Sequence, residues 1–159
     1  MTTFQHNASD SGIMLLDIGN TNLKWAWLQN NRPGKISSVP HKGQALEQLA
    51  ASAWADMATP GQTYVSNVAG AEIERDLREW IEQHWGHAPR FVQATAGACG
   101  VSNSYRQPER LGVDRWLTLI ALHTMFPGPV CVVDCGTAVT IDVLGLDGAH
   151  QGGLILPGL

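Results

Sequence analysis

One pattern occurs twice in this chain. An apolar run ends on aspartate, a short turn of glycine and small polar residues follows, and a second apolar run leads away. The first copy is Met14-Leu15-Leu16-Asp17-Ile18-Gly19-Asn20-Thr21-Asn22-Leu23-Lys24. The second is Val130-Cys131-Val132-Val133-Asp134-Cys135-Gly136-Thr137-Ala138-Val139-Thr140. Each reads as a β-hairpin, with the apolar runs as its strands. An internal repeat constrains a fold more than any single motif. Two such hairpins far apart in sequence predict duplicated α/β domains facing each other across a cleft.

The turns suit a phosphate. A glycine lets the backbone come close to a ligand and permits positive φ. Successive N–H groups in a tight turn can form an anion-binding concavity. Asn20, Thr21 and Asn22 add side-chain donors. Asp17 and Asp134 would repel a bare phosphate, so their predicted task is to hold cations beside it. The plain alternative is two ordinary hairpin turns, in which Asn, Asp and Gly are common. Neither G-x-x-x-x-G-K-[ST] nor a G-x-G-x-x-G after a strand is present, so the P-loop and dinucleotide folds lack support.

The stretches between the copies read as alternating elements. Lys35 to Val39 is a short strand, Gln44 to Met57 has helical spacing, and Thr63 to Val68 is a strand. Ala71 to Trp85 is an amphipathic helix, with Ile73, Leu77, Trp80, Ile81 and Trp85 inward and a solvated charged face outward. Arg90 to Val92 is a short strand. Residues 93–110 form a long polar segment containing Tyr105, and loops of that length are usually functional or mobile. Leu111 to Phe126 is a second helix, predicted to be mostly buried and stopped by Pro127-Gly128-Pro129. Residues 1–12 read as a flexible tail, 13–110 as a first domain, and 111–159 as a linking helix with the start of a second.

Gly112-Val113-Asp114-Arg115 opens that second helix. Asp114 either simply favours the helix N-terminus or serves as the base that takes a proton from an alcohol. Phosphoryl transfer needs one such acceptor beside positioned charges. Arg115 could orient a carboxylate or phosphate with its fork, or make a surface ion pair.

Composition removes other classes. Hydrophobic residues are 44% of the chain and the formal charge is -4. That is enough for a packed core and supplies no basic field for nucleic acid. The three cysteines lack C-x-x-C spacing, so a zinc site or disulfide framework is not predicted, and Cys135 reads as a buried thiol. No secretory signal or membrane-spanning run is seen. The serines have no evident His/Asp context, which leaves hydrolase chemistry unsupported.

Asp17-Ile18-Gly19-Asn20-Thr21-Asn22, Gly112-Val113-Asp114-Arg115, Asp134-Cys135-Gly136-Thr137-Ala138-Val139-Thr140 and Gly152-Gly153-Leu154-Ile155-Leu156-Pro157-Gly158 resemble, in order and spacing, the motifs of type III pantothenate kinases. The resemblance implies an actin/sugar-kinase/Hsp70-like (ASKHA) fold of two ribonuclease-H-like domains, the second incomplete here because family members continue further. It implies a cytoplasmic homodimer that phosphorylates pantothenate with ATP, the first step of coenzyme A biosynthesis, using Mg²⁺ and a monovalent cation, K⁺ or NH₄⁺. By position, Asp17, Ile18, Gly19, Asn20, Thr21, Asn22, Leu23 and Lys24 resemble the ATP-phosphate loop, with Asp17 near Mg²⁺. Thr137 resembles a second ATP contact and Asp134 the monovalent-cation ligand. Asp114 resembles the proton acceptor. Tyr105, Gly112, Val113, Asp114 and Arg115 resemble the pantothenate contacts. The competing expectations are a non-catalytic accessory protein on the same fold and a phosphatase of the same superfamily.

Overall fold

The computed structural model describes residues 12–158. The predicted flexible tail, 1–12, lies outside the described residues except for Gly12. The chain divides into two compact units, one ending at Phe91 and the next beginning at Val92.

The first unit opens with the expected hairpin. Strand β1 (Ile13–Ile18) pairs antiparallel with β2 (Asn22–Gln29), with Asp17 opposite Lys24 and Ile18 opposite Leu23. The far edge of β2 is taken by two short strands, β3 (Arg32–Pro33) and β4 (Ser37–Pro40). Helix α1 (Leu46–Ala53) leads to β5 (Gln62–Asn67), which returns parallel to β1. Helix α2 (Ala71–Trp85) leads to β6 (Arg90–Phe91), parallel to β5. Across the sheet the order is β4-β2-β1-β5-β6, and β2 alone runs against the rest. That order and sense are the ribonuclease-H-like arrangement the resemblance implies.

β1 alternates in burial. Met14, Leu16 and Ile18 are buried, and the residues between them half-buried. One face of the strand therefore looks into the core and the other is only partly covered. Leu46, Leu49 and Ala50 of α1 and Leu77, Trp80 and Ile81 of α2 join β1, Leu23 and Val65 in one cluster. Trp54 packs against Trp25, Trp80 and Trp85 with ring centroids 5.1 to 6.0 Å apart. α2 ends where Gly86 adopts a left-handed φ of 72°, the usual helix stop because glycine has no Cβ to strain.

In the second unit, residues 93–110 are not structureless. β7 (Gly97–Ala98) and β8 (Val101–Ser102) form a small ribbon, and Pro108–Arg110 make one 3-10 turn. Sequence placed this segment in the first domain, whereas its bonds tie it to the second unit. Ser102 N–H donates to the Gly148 carbonyl, and Val101 shares a core with Leu111, Trp116, Leu119 and Leu144.

Helix α3 (Val113–Met125) follows, then a three-stranded antiparallel sheet of β9 (Val130–Cys135), β10 (Ala138–Leu144) and β11 (His150–Pro157), with β10 central. These strands repeat the antiparallel start of the first sheet. α3 is buried on one face only, and Met125 and Phe126 at its end are exposed. Among the described residues no helix is long and apolar enough to cross a membrane.

Candidate functional site

In the first unit the turn Gly19–Asn22 closes with Gly19 N–H donating to the Asn22 carbonyl at 3.0 Å. His41 braces it from outside. Its Nε2 lies 2.7 Å from the Gly19 carbonyl oxygen, and its backbone N–H donates to the Thr21 carbonyl at 2.9 Å. Because a carbonyl can only accept, Nε2 carries the hydrogen in that bond. Asp17 sits at the strand end, 3.6 Å from Lys24 Nζ across the hairpin. Ile18 and Leu23 flank the turn and are buried, whereas Asn20, Asn22 and Lys24 are exposed. Asn20, Asn22 and Lys24 are thus open to solvent, with the apolar residues anchoring the loop beneath them.

The turn glycines differ from the sequence expectation in an informative way. Neither Gly19 nor Gly136 has positive φ. A Cβ on Gly19 would come no closer than 3.6 Å to Asn22 O, and one on Gly136 no closer than 3.8 Å to Ala138 O. The fold itself therefore does not require glycine at either place.

In the second unit, β9 and β10 are joined by Gly136-Thr137, with Gly136 N–H donating to the Ala138 carbonyl. Asp134 is exposed opposite Thr140 in the register. The backbone at Gly158 closes against Gly136 and Thr137 so tightly that a side chain there would collide. Cys135, predicted buried, is exposed, because the sheet face it occupies has no covering layer among the described residues.

Asp114 lies in the first turn of α3, where its Oδ1 accepts the Arg115 backbone N–H at 2.8 Å. Its carboxylate folds over Gly112, and a Cβ at Gly112 would stand only 2.5 Å from Oδ1. Oδ1 serves the helix terminus, while Oδ2 has no partner among the described residues. Asp114 is thus bonded into the first turn of the helix, two positions after the N-cap residue Gly112. Val113 is buried beside it as an anchor.

Arg115 is not a surface ion pair. It is buried, and its fork grips Asp142: Nε donates to Oδ2 at 2.7 Å and Nη2 to Oδ1 at 2.6 Å. The hydrogen bonds to Asp142 hold the guanidinium above its ordinary pKa, although burial works the other way. A raised pKa on a cation means that folding favours the charged guanidinium at every pH below its ordinary value, and that this contribution is lost only as the pH rises through the raised one. Nη1 of Arg115 reaches the Tyr105 hydroxyl at 3.4 Å. The sequence reading missed Asp142, His150 and His41. A carboxylate inside the apolar run Ile141-Asp142-Val143-Leu144 was the available signal, since a buried acid requires a partner.

The topology of the first unit, repeated at the start of the second, defines an α/β protein of the actin/sugar-kinase/Hsp70-like class. The chain belongs to the type III pantothenate kinase family, whose model matches residues 13–159. Type III pantothenate kinases of Nitrosococcus oceani and Methylibium petroleiphilum are 40% and 41% identical to it, each over 92% of the chain. It spans 57% and 60% of their respective lengths, so somewhat over half of each relative is represented. Among solved structures, the Aquifex aeolicus Ppx/GppA phosphatase type II variant gives a TM-score of 0.49 at 12% identity, over 91% of this chain and 51% of that one. A putative N-acetylmannosamine kinase from Listeria monocytogenes gives 0.45 at 18%, over 89% and 52%.

Proposed function

We propose that the protein carrying this chain transfers the γ-phosphoryl group of ATP to the primary hydroxyl of pantothenate, giving 4′-phosphopantothenate and ADP. Family membership supports the reaction class, and the two turn glycines supply the observation that carries the reading at this chain's own residues. At both the fold leaves room for a side chain, and a glycine there leaves the backbone N–H groups bare to an incoming phosphate.

Asp17, Ile18, Gly19, Asn20, Thr21, Asn22, Leu23 and Lys24 form the phosphate loop, and Thr137 adds a contact from the second turn. Asp114 Oδ2 takes the hydroxyl proton as the oxygen–phosphorus bond forms and the bond to the ADP oxygen breaks. Tyr105, Gly112, Val113 and Arg115 border the alcohol substrate. Among the described residues no group of three or more His, Cys, Asp or Glu could cage a metal ion. One carboxylate per turn does fit a cation whose other ligands are phosphate oxygens and water, the usual mode for Mg²⁺. Asp17 is assigned to Mg²⁺ and Asp134 to K⁺ or NH₄⁺, which would neutralise charge on the phosphates. We further assign the protein to the cytoplasm and to a homodimer.

The test is ADP release with and without pantothenate. Asp114→Asn is expected to lower kcat by about 10²–10⁴, the range for a general base, with ATP binding retained. Near-normal turnover would remove Asp114 from the mechanism. Phosphate release without any alcohol would favour the phosphatase reading instead.

A further inference from the structure

The second unit buries a connected set of polar groups that the proposed reaction does not use. Asp142 is 2% exposed and His150 3%. Asp142 Oδ1, already bonded to Arg115, also lies 2.8 Å from His150 Nε2. A carboxylate accepts, so Nε2 carries the hydrogen. Ser104 Oγ lies 3.2 Å from Nδ1, and in the neutral imidazole Nδ1 accepts the hydroxyl's hydrogen. The ring of Tyr105 stacks on the same imidazole, with centroids 6.0 Å apart and 13° between planes. Gly153 lies opposite Asp142 in the register, and any side chain there would strike both Asp142 and Arg115.

Four segments converge on this set: the loop at 103–105, the first turn of α3, β10 and β11. A buried ion pair of this kind is weak evidence for stability, since well-packed apolar residues often do as well. What the arrangement specifies is direction. Asp142 takes the Nε and Nη2 edge of Arg115 and leaves Nη1 beside the Tyr105 hydroxyl. His150 holds Tyr105 from the other side, by stacking and through the neighbouring Ser104.

We propose that Asp142 and His150 are positioning residues for the alcohol substrate, acting through Arg115 and Tyr105. They hold the guanidinium Nη1 and the phenol hydroxyl as one preorganised polar edge. Such an edge suits a carboxylate-bearing acceptor, because charge-assisted bonds to guanidinium gain most when the donor is already aimed. The role rests on the pantothenate kinase reading.

Ser104, His150 and Asp142 also line up as a nucleophilic triad does. The charge balance opposes that use. Both Asp142 oxygens are held by the Arg115 guanidinium, so the carboxylate is already neutralised and has little left to stabilise an imidazolium.

The experiment measures KM for pantothenate, KM for ATP and kcat in the protein that carries this chain. His150→Leu is expected to raise the pantothenate KM about tenfold, the size of one lost buried hydrogen bond. The ATP KM should move less than about twofold, since uniform loss of one substrate's binding leaves the other unaffected. His150→Gln, which can still donate to Asp142, should recover most of the loss. Ser104→Ala removes a single part-buried hydrogen bond and is expected to raise the pantothenate KM about two- to threefold, as for a weaker hydrogen bond. Unchanged pantothenate KM in both His150→Leu and Ser104→Ala, in an active wild type, overturns the positioning role and leaves the kinase reading standing. An equal rise in both KM values overturns it as well, because a general loss of structure would do the same. Ser104→Ala that abolishes turnover would make Ser104 a nucleophile and defeat the proposal. A wild type with no pantothenate-dependent ADP release defeats the kinase reading and this inference together.

Discussion

The two hairpins begin from the same formula and finish in different surroundings. In the first, Met14, Ile18 and Leu23 are fully buried, because β5 extends the sheet beside β1 and residues of α1 and α2 pack against them. In the second, cross-strand partners share a face, and the register sets Val133, Ile141 and Leu154 in one row. The adjacent row, Val132, Asp142 and Gly153, lies on the other face, where Arg115 of α3 reaches Asp142. The Val133 side is apolar and bare: Val133 is 55% exposed and Leu154 61%. Local sequence therefore makes a strand–turn–strand unit, while burial is conferred by whatever packs on it afterwards. The first hairpin is held by apolar layers on a six-stranded sheet. The second is held, on its covered face, partly by a buried ion pair.

The sharpest way to break that contrast is to remove the ion pair. Asp142→Ala leaves Arg115 buried and uncompensated, which is expected to cost about 3–5 kcal/mol. Urea unfolding should show the loss in the second unit, reported by Trp116 with the other tryptophans replaced. A loss below about 1 kcal/mol, the size of an exposed pair, would mean that solvent reaches the guanidinium and that the second hairpin rests on apolar contacts like the first.

Matched leucine truncations test the other half. Leu23→Ala deletes a fully buried side chain and should cost about 2–5 kcal/mol. Leu154→Ala in this chain should stay within about 0.5 kcal/mol, as exposed substitutions do. Equal costs would show that the bare face of the second sheet is covered when the chain is in solution.

Much of this was legible in the sequence. Continuous apolar runs ended by Asp and followed by a Gly turn marked both hairpins, and the stripe from Ile73 to Trp85 placed α2 at its observed ends. β7 and β8 were missed because two-residue strands carry no periodicity; they are defined only by pairing with each other, and Ser102 then ties them to Gly148 and Ala149. The domain boundary was placed late for the same reason. Asp17, Asp114 and Asp134 were singled out because each follows or opens a recognisable element. His41 was missed because its role depends on contact with residues 20 or more positions away, which no spacing rule encodes. Arg115 was found but its setting was misjudged, since its partner lies on a strand that reads as continuous core.

His41 carries a smaller effect. His41→Ala removes the bond to the Gly19 carbonyl while the backbone bond to Thr21 can persist. The expected loss is about 1 kcal/mol, one side-chain hydrogen bond. If the turn binds phosphate, the ATP KM rises about fivefold, the same energy expressed as affinity. The pantothenate KM should not follow. Equal shifts in both would make His41 a stabiliser of the unit with no particular hold on the turn.

The least costly change to the fold is the most discriminating for the turns. Lys24 faces Asp17 across the first hairpin, with side chains 52% and 42% exposed. The corresponding partner of Asp134 in the second hairpin is Thr140, which carries no charge. An exposed pair at 3.6 Å contributes about 0–1 kcal/mol, and salt screens it further. Lys24→Ala should therefore leave the unfolding midpoint nearly unchanged. If the first turn binds phosphate as proposed, the change removes a point charge beside it and the ATP KM rises, more at low ionic strength than at high. Thr140→Lys offers the converse, since it builds the first hairpin's pair into the second without touching the first turn. If Lys24 serves the phosphates, Lys24→Ala alone shifts the salt dependence of the ATP KM and Thr140→Lys does not restore it. If Lys24 only balances Asp17, stability moves slightly and the nucleotide is indifferent, and the two turns differ by an ion pair rather than by a task.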